Sequence, residues 1–174
     1  VEFALVALPF LTLVLGVMEL GFDLYVQTML DYALETAARG VQVGSTVGNV
    51  KQNNASFRKD AICPYLYGLD CTSLAVAVTM VPKDSNYFTF AAPPTITNAT
   101  NAVGCVNTGT AGQIMLAEAW YVGPTFLGAL IPNFSVPNSF GLGYTGSLAH
   151  VTFSSAGFVN EAFAGGQTNA NPCG

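Results

Sequence analysis

The chain has 174 residues, enough for one domain with an appendage and short of two comfortable domains. Charged residues make up 9% of it, against about 25% in an ordinary soluble domain, and hydrophobic residues make up 51%. A net charge of −5, with only Arg39, Lys51, Arg58, Lys59 and Lys83 basic and no basic stripe formed, argues against a nucleic-acid partner.

Residues 1 to about 44 read as one long helix, about 65 Å at 1.5 Å per residue. Its first part, 1–22, is almost wholly apolar; the uncharged stretch between Glu2 and Glu19 covers roughly 24 Å, at the short end for a bilayer span. Such a rod needs a bilayer or a bundle of like rods as its solvent. Pro9 should kink it or free a carbonyl. Gly16 and Gly21 permit close approach by a neighbouring backbone. A carboxylate such as Glu2 beside an apolar run either reaches the interface or finds a cation, and an α-amine of a neighbouring subunit is the one plausibly at hand.

Beyond Met18 and on through the amphipathic second part, 23–44, Glu19, Asp23, Asp31 and Glu35 alternate with Leu20, Leu24, Met29, Leu30, Ala33, Leu34 and Ala37, a helical spacing with one face for a core. The acids read as a solvated or subunit-facing edge. Gly40 and Gly44 are stop signals. From Ser45 to Pro64 runs a polar, loop-rich connector.

The remainder, 45–174, reads as a β-rich head. Leu74–Val81 is the clearest strand, Ile114–Val122 and Leu148–Phe153 follow, and Tyr87–Phe90 is weaker. Pro93, Pro94, Pro124, Pro132 and Pro137 punctuate long loops. From Ala91 to Gly174 the acids and bases are Glu118, Glu161 and His150 alone, so much of that surface should be covered by other subunits. The fold expected is α+β: a long N-terminal helix running into a small antiparallel sheet, a lollipop stapled by disulfides.

Four cysteines without CxxC spacing or a nearby histidine point to disulfides rather than a metal. The pairs favoured are Cys63–Cys71, a loop staple, and Cys105–Cys173, a clasp on the tail; four buried thiols are the alternative. Asn54, Asn98 and Asn133 fit the N-glycosylation pattern. No nucleophile motif surrounds His150, and no phosphate loop, zinc motif or haem motif occurs, so neither catalysis, a metal nor a cofactor is expected.

The opening VEFALVALPFLTLVLGVMELGF, with Glu19-Leu-Gly and Ala33-Leu-Glu-Thr-Ala-Ala-Arg39, closely resembles the N-terminus of TadE-like pilins of tight-adherence secretion systems. Phe158-Val-Asn-Glu161-Ala-Phe163 is similar to that family's terminal aromatic–Asn-Glu–aromatic motif, without its arginine and proline. The resemblance implies a prepilin with a short basic leader, cut by a prepilin peptidase, held in the bilayer of the inner membrane and extracted by assembly machinery. It also implies that Glu2 is the pilin glutamate. The function expected is that of a structural, non-enzymatic subunit: copies of the chain form a helical extracellular filament that serves adhesion or aggregation. The alternatives are a membrane-held minor pilin that primes another filament, or a single-span anchored binding module.

Overall fold

The computed structural model describes residues 2–44, 57–82, 106–107, 109–125 and 150–161. Helix α1 (Glu2–Gln42) is one continuous element of 41 residues, about 60 Å long at the usual rise. It passes through Pro9, whose missing N–H leaves the carbonyl one turn earlier without its helical donor. The Thr12 hydroxyl donates to the Pro9 carbonyl at 2.9 Å. Gly40 lies inside the helix and does not stop it. The stop comes at Gly44, whose φ of 72° is the left-handed conformation that ends many helices, with its N–H donating to the Val41 carbonyl at 3.0 Å.

Three antiparallel strands form a sheet in the order β1 (Leu74–Met80), β2 (Ile114–Gly123) and β3 (His150–Val159). The first two match the strands expected from β-branched runs. β3 extends beyond Phe153 through Ser154-Ser155-Ala156-Gly157, residues with little strand preference, because β2 offers them a full register from Ile114↔Val159 to Gly123↔His150. The weaker strand expected at Tyr87–Phe90 lies outside the described residues.

One face of the sheet carries Leu74, Val76 and Val78 from β1, Met115, Ala117, Ala119 and Tyr121 from β2, and Ala156 and Phe158 from β3. Against it packs the second half of α1 through Val26, Leu30, Ala33, Leu34, Ala37 and Val41. These positions fall three or four apart and so line one side of a helix. Ala33 and Ala37 let the helix axis approach the sheet closely. The opposite sheet face of β2, Leu116, Glu118, Trp120 and Val122, is buried too, and there Trp120 meets Phe153 with ring centroids 5.7 Å apart.

The segment expected as a loop up to Pro64 differs from that reading. Residues Arg58–Ile62 form a π-helical turn and Cys63–Tyr65 a 3-10 turn, both anchored by Phe57 and Ile62 in the core. Burial of these two apolar side chains, each worth about 1.5–3 kcal/mol, offsets the weak intrinsic helicity of so short a piece. Cys63 and Cys71 are bonded, with Cα atoms 5.7 Å apart. The loop they close presents Tyr65 edge-on to Tyr32 of α1, with centroids 6.1 Å apart, and the Tyr67 carbonyl accepts from the Tyr25 hydroxyl. At its end Asp70 caps a turn (Cys71–Ser73): the Thr72 N–H, then its hydroxyl, hold the Asp70 carboxyl below its ordinary pKa. Closing a loop of separation 8 is worth about 2–3 kcal/mol by chain entropy. Cys63→Ser should therefore lower the unfolding free energy by about that much, read from denaturant curves, and adding reductant to the parent should cost at least as much. The second expected pair, Cys105–Cys173, and the acceptors Asn54, Asn98 and Asn133 lie outside the described residues.

Glu118 sits in the central strand on the sheet face away from α1, between Ala77 and Ser155 in register. Burial raises its carboxyl from an ordinary 4.5 to about 7. Between those two values the folded protein keeps a proton that the unfolded chain releases. The contribution of Glu118 to stability should therefore be greatest below pH 4.5 and be lost as pH rises through about 7. Glu118→Gln should flatten this slope and be more stable than the parent at pH 8 but not at pH 4, as measured by urea unfolding across pH.

Candidate functional site

α1 has two halves with opposite fates. Between Phe3 and Leu20 most of the described large apolar side chains face outward: Phe3 is 87% exposed, Leu8 68%, Leu13 65% and Leu20 64%. From Val26 onward one side is fully buried, with Leu30 and Leu34 at 0%. The described part of the helix is long and apolar enough to cross a membrane, and none of its most apolar window is buried against the chain itself. Side chains of this kind each forfeit about 1.5–3 kcal/mol if left in water. The rod is thus the part of the molecule that demands an apolar environment from outside.

The changeover occurs at Gly16–Asp23. Glu19 is buried there, 9% exposed, and Phe22 packs against the core. His150, at the start of β3, places Nδ1 2.8 Å from an Asp23 carboxylate oxygen. With Leu13, Gly16, Val17 and Leu20, these groups line a cleft of about 400 Å3 where the rod leaves the head. Gly21 is exposed, and a Cβ there would meet no atom of the chain, so packing within the subunit does not require glycine at that position.

Beyond the junction β3 runs alongside α1 in the same direction, and polar contacts mark successive levels. Asp23 meets His150. Gln27 donates to the Phe153 carbonyl at 3.3 Å and to Asp31 at 2.9 Å. The Ser154 hydroxyl donates to Asp31. Finally the Glu161 N–H donates to the Gln42 carbonyl at 3.1 Å, satisfying one of the acceptors a helix end leaves over. Asp23, half-buried, is therefore a seam residue rather than the solvated or subunit-facing edge expected of it, while Asp31 keeps the expected exposure and still receives a donor from β3. Glu35 keeps the expected exposure and pairs with Arg39 at 2.7 Å. The partners on β3 stand more than 120 positions along the chain, which no local spacing reveals.

The C-terminal motif sits at the far end of this seam. Phe158 packs against the core, Asn160 is buried, and the Asn160 backbone bonds to Gln113 and Gly112. The motif thus ties the last turn of α1 to the sheet. Of the residues singled out for assembly, Pro9, Gly16, Glu19 and Gly21 lie on the rod or its junction, and Glu2 opens the helix. The described residues bring no catalytic constellation together, and among them no cluster of three or more His, Cys, Asp or Glu could hold a metal.

The chain matches no curated protein and no solved structure. A family model does match, covering the exposed rod, the junction and most of the docked half of α1. Residues 1–39 match the model of the TadE-like protein family.

Proposed function

We propose that this chain is a structural subunit of a tight-adherence pilus system, in which rods of many copies bundle as a filament core and heads form the outer wall. The observation that carries the reading is the apolar rod, largely exposed yet rigidly continuous with a head-docked helix. Before assembly the same rod lies in the inner-membrane bilayer, where lipid meets its demand for an apolar solvent. Transfer from lipid to a bundle brings little hydrophobic gain, so close packing at Gly16 and Gly21 and contacts between heads must favour it.

The division is a helix, 1–44, and a head, 45–174. A prepilin peptidase and the membrane assembly machinery are the partners that processing and extraction require. Glu2 neutralises the α-amine of a neighbouring copy within the bundle, and the filament serves attachment to surfaces or other cells. Electron microscopy of material sheared from expressing cells, with mass spectrometry of purified fibres, tests this. Fibres composed mainly of this polypeptide would support the reading. Fibres in which it is a trace component, with the bulk in the membrane fraction, would instead make it a priming subunit.

A further inference from the structure

Among the described residues, the sheet leaves its β3 edge only partly guarded. In an antiparallel pair, alternate residues turn both backbone groups toward the partner strand and the residues between turn both away. On β3 the even-numbered residues face β2, since the Asn160 N–H, next in line, donates to the Gln113 carbonyl at 3.0 Å. The odd-numbered residues face outward, and α1 satisfies them at two places: Phe153, whose carbonyl takes Gln27, and Glu161, whose N–H reaches Gln42. Between these clamps lie Ser155, Gly157 and Val159. All three are exposed, and their outward N–H and C=O groups have no partner among the described residues.

We infer that this edge, Ser155 to Val159, accepts an extended segment of a neighbouring copy of the chain as an added strand. The inference rests on the filament reading above and names the contact that joins the heads. Three outward donor–acceptor sets, spaced two residues apart at roughly 6.6–6.8 Å, match the repeat of a β-strand and of no other backbone conformation. Edges that must stay single carry lysine, proline or a covering element. Among the described residues this one has none of these between its clamps. Beside it, Val159 pairs with Ile114 of β2, and both are about half exposed, adding an apolar border. The occupant is a second copy because bundled rods set heads side by side, and because a surface with so few charges from Ala91 to Gly174 suits repeated contact with its own kind.

The test uses wild-type fibres and the detergent-solubilised subunit, compared by amide hydrogen exchange. The amides of Ser155, Gly157 and Val159 should exchange at least about tenfold more slowly in the fibre. Gly157→Pro removes one outward donor without touching the β2 ladder, and should reduce fibre yield about tenfold or more while leaving the solubilised head's unfolding midpoint near the parent's. Val159→Lys, which keeps every backbone group but adds an edge charge, should do the same and serves if the proline variant does not fold. Fibres that form normally from both variants, or equal exchange in the two states, would overturn the inference and leave the filament reading standing. Protection that mass spectrometry traces to a different protein in the fibre would overturn the choice of occupant. Absence of wild-type fibres would remove both readings together.

Discussion

Leu34→Ala should lower the unfolding free energy of the detergent-solubilised protein by about 2–5 kcal/mol, whereas Leu8→Ala should leave it unchanged within about 0.5 kcal/mol. The two residues are chemically identical and belong to one helix. Leu34 is fully buried between α1 and the sheet, so truncation loses transfer energy and opens a cavity among Leu30, Ala37 and their strand neighbours. Leu8 is 68% exposed, so its truncation removes little buried surface. Urea unfolding followed by tryptophan fluorescence reads the difference, because Trp120 lies in the central strand. Equal losses at both positions would mean that the rod folds back on the head, against the division drawn above.

Leu11→Arg should have the opposite profile. Near the centre of the uncharged stretch, an arginine costs about 2.5–3.5 kcal/mol on insertion scales, and it would face either lipid or neighbouring rods. The head should unfold at the parent's midpoint, since Leu11 is exposed and outside the core. Fibres should be lost, and the membrane-bound fraction should fall by about one hundredfold if the full penalty is felt. Fractionation and electron microscopy of the same cells check both parts. Normal fibres from this variant would show that the rod is not the assembly core.

Much of this architecture is legible in the residues. The change at Glu19 from an unbroken apolar run to a helical alternation marks where the head begins to grip α1, and the β-branched runs Leu74–Met80 and Ile114–Gly123 declare two strands. The local staple, Cys63–Cys71, follows from spacing. What escaped sequence reading depends on distant partners. Ser154–Gly157 becomes a strand only because β2 lies alongside it. Asp23 looks like a surface acid until β3 brings His150 against it, and Asp31, a surface acid as its spacing suggests, also takes the Ser154 hydroxyl, a contact no local pattern reveals. The helical turns after Phe57 lack any capping side chain and form because Ile62 finds the core. Gly40 resembles a stop signal, but packing of Ala37, Ala38 and Val41 carries the helix past it. Local pattern reports which surfaces want burial; it does not report what arrives to bury them.

The most direct measurement is a cryo-electron-microscopy reconstruction of fibres sheared from cells producing this chain. The account predicts that residues 3–20 of every copy lie side by side near the fibre axis, that the heads lie outside, and that each head keeps the seam between α1 and β3. A fibre whose axis is built from the heads, or one in which residues 3–20 face solvent, would contradict it.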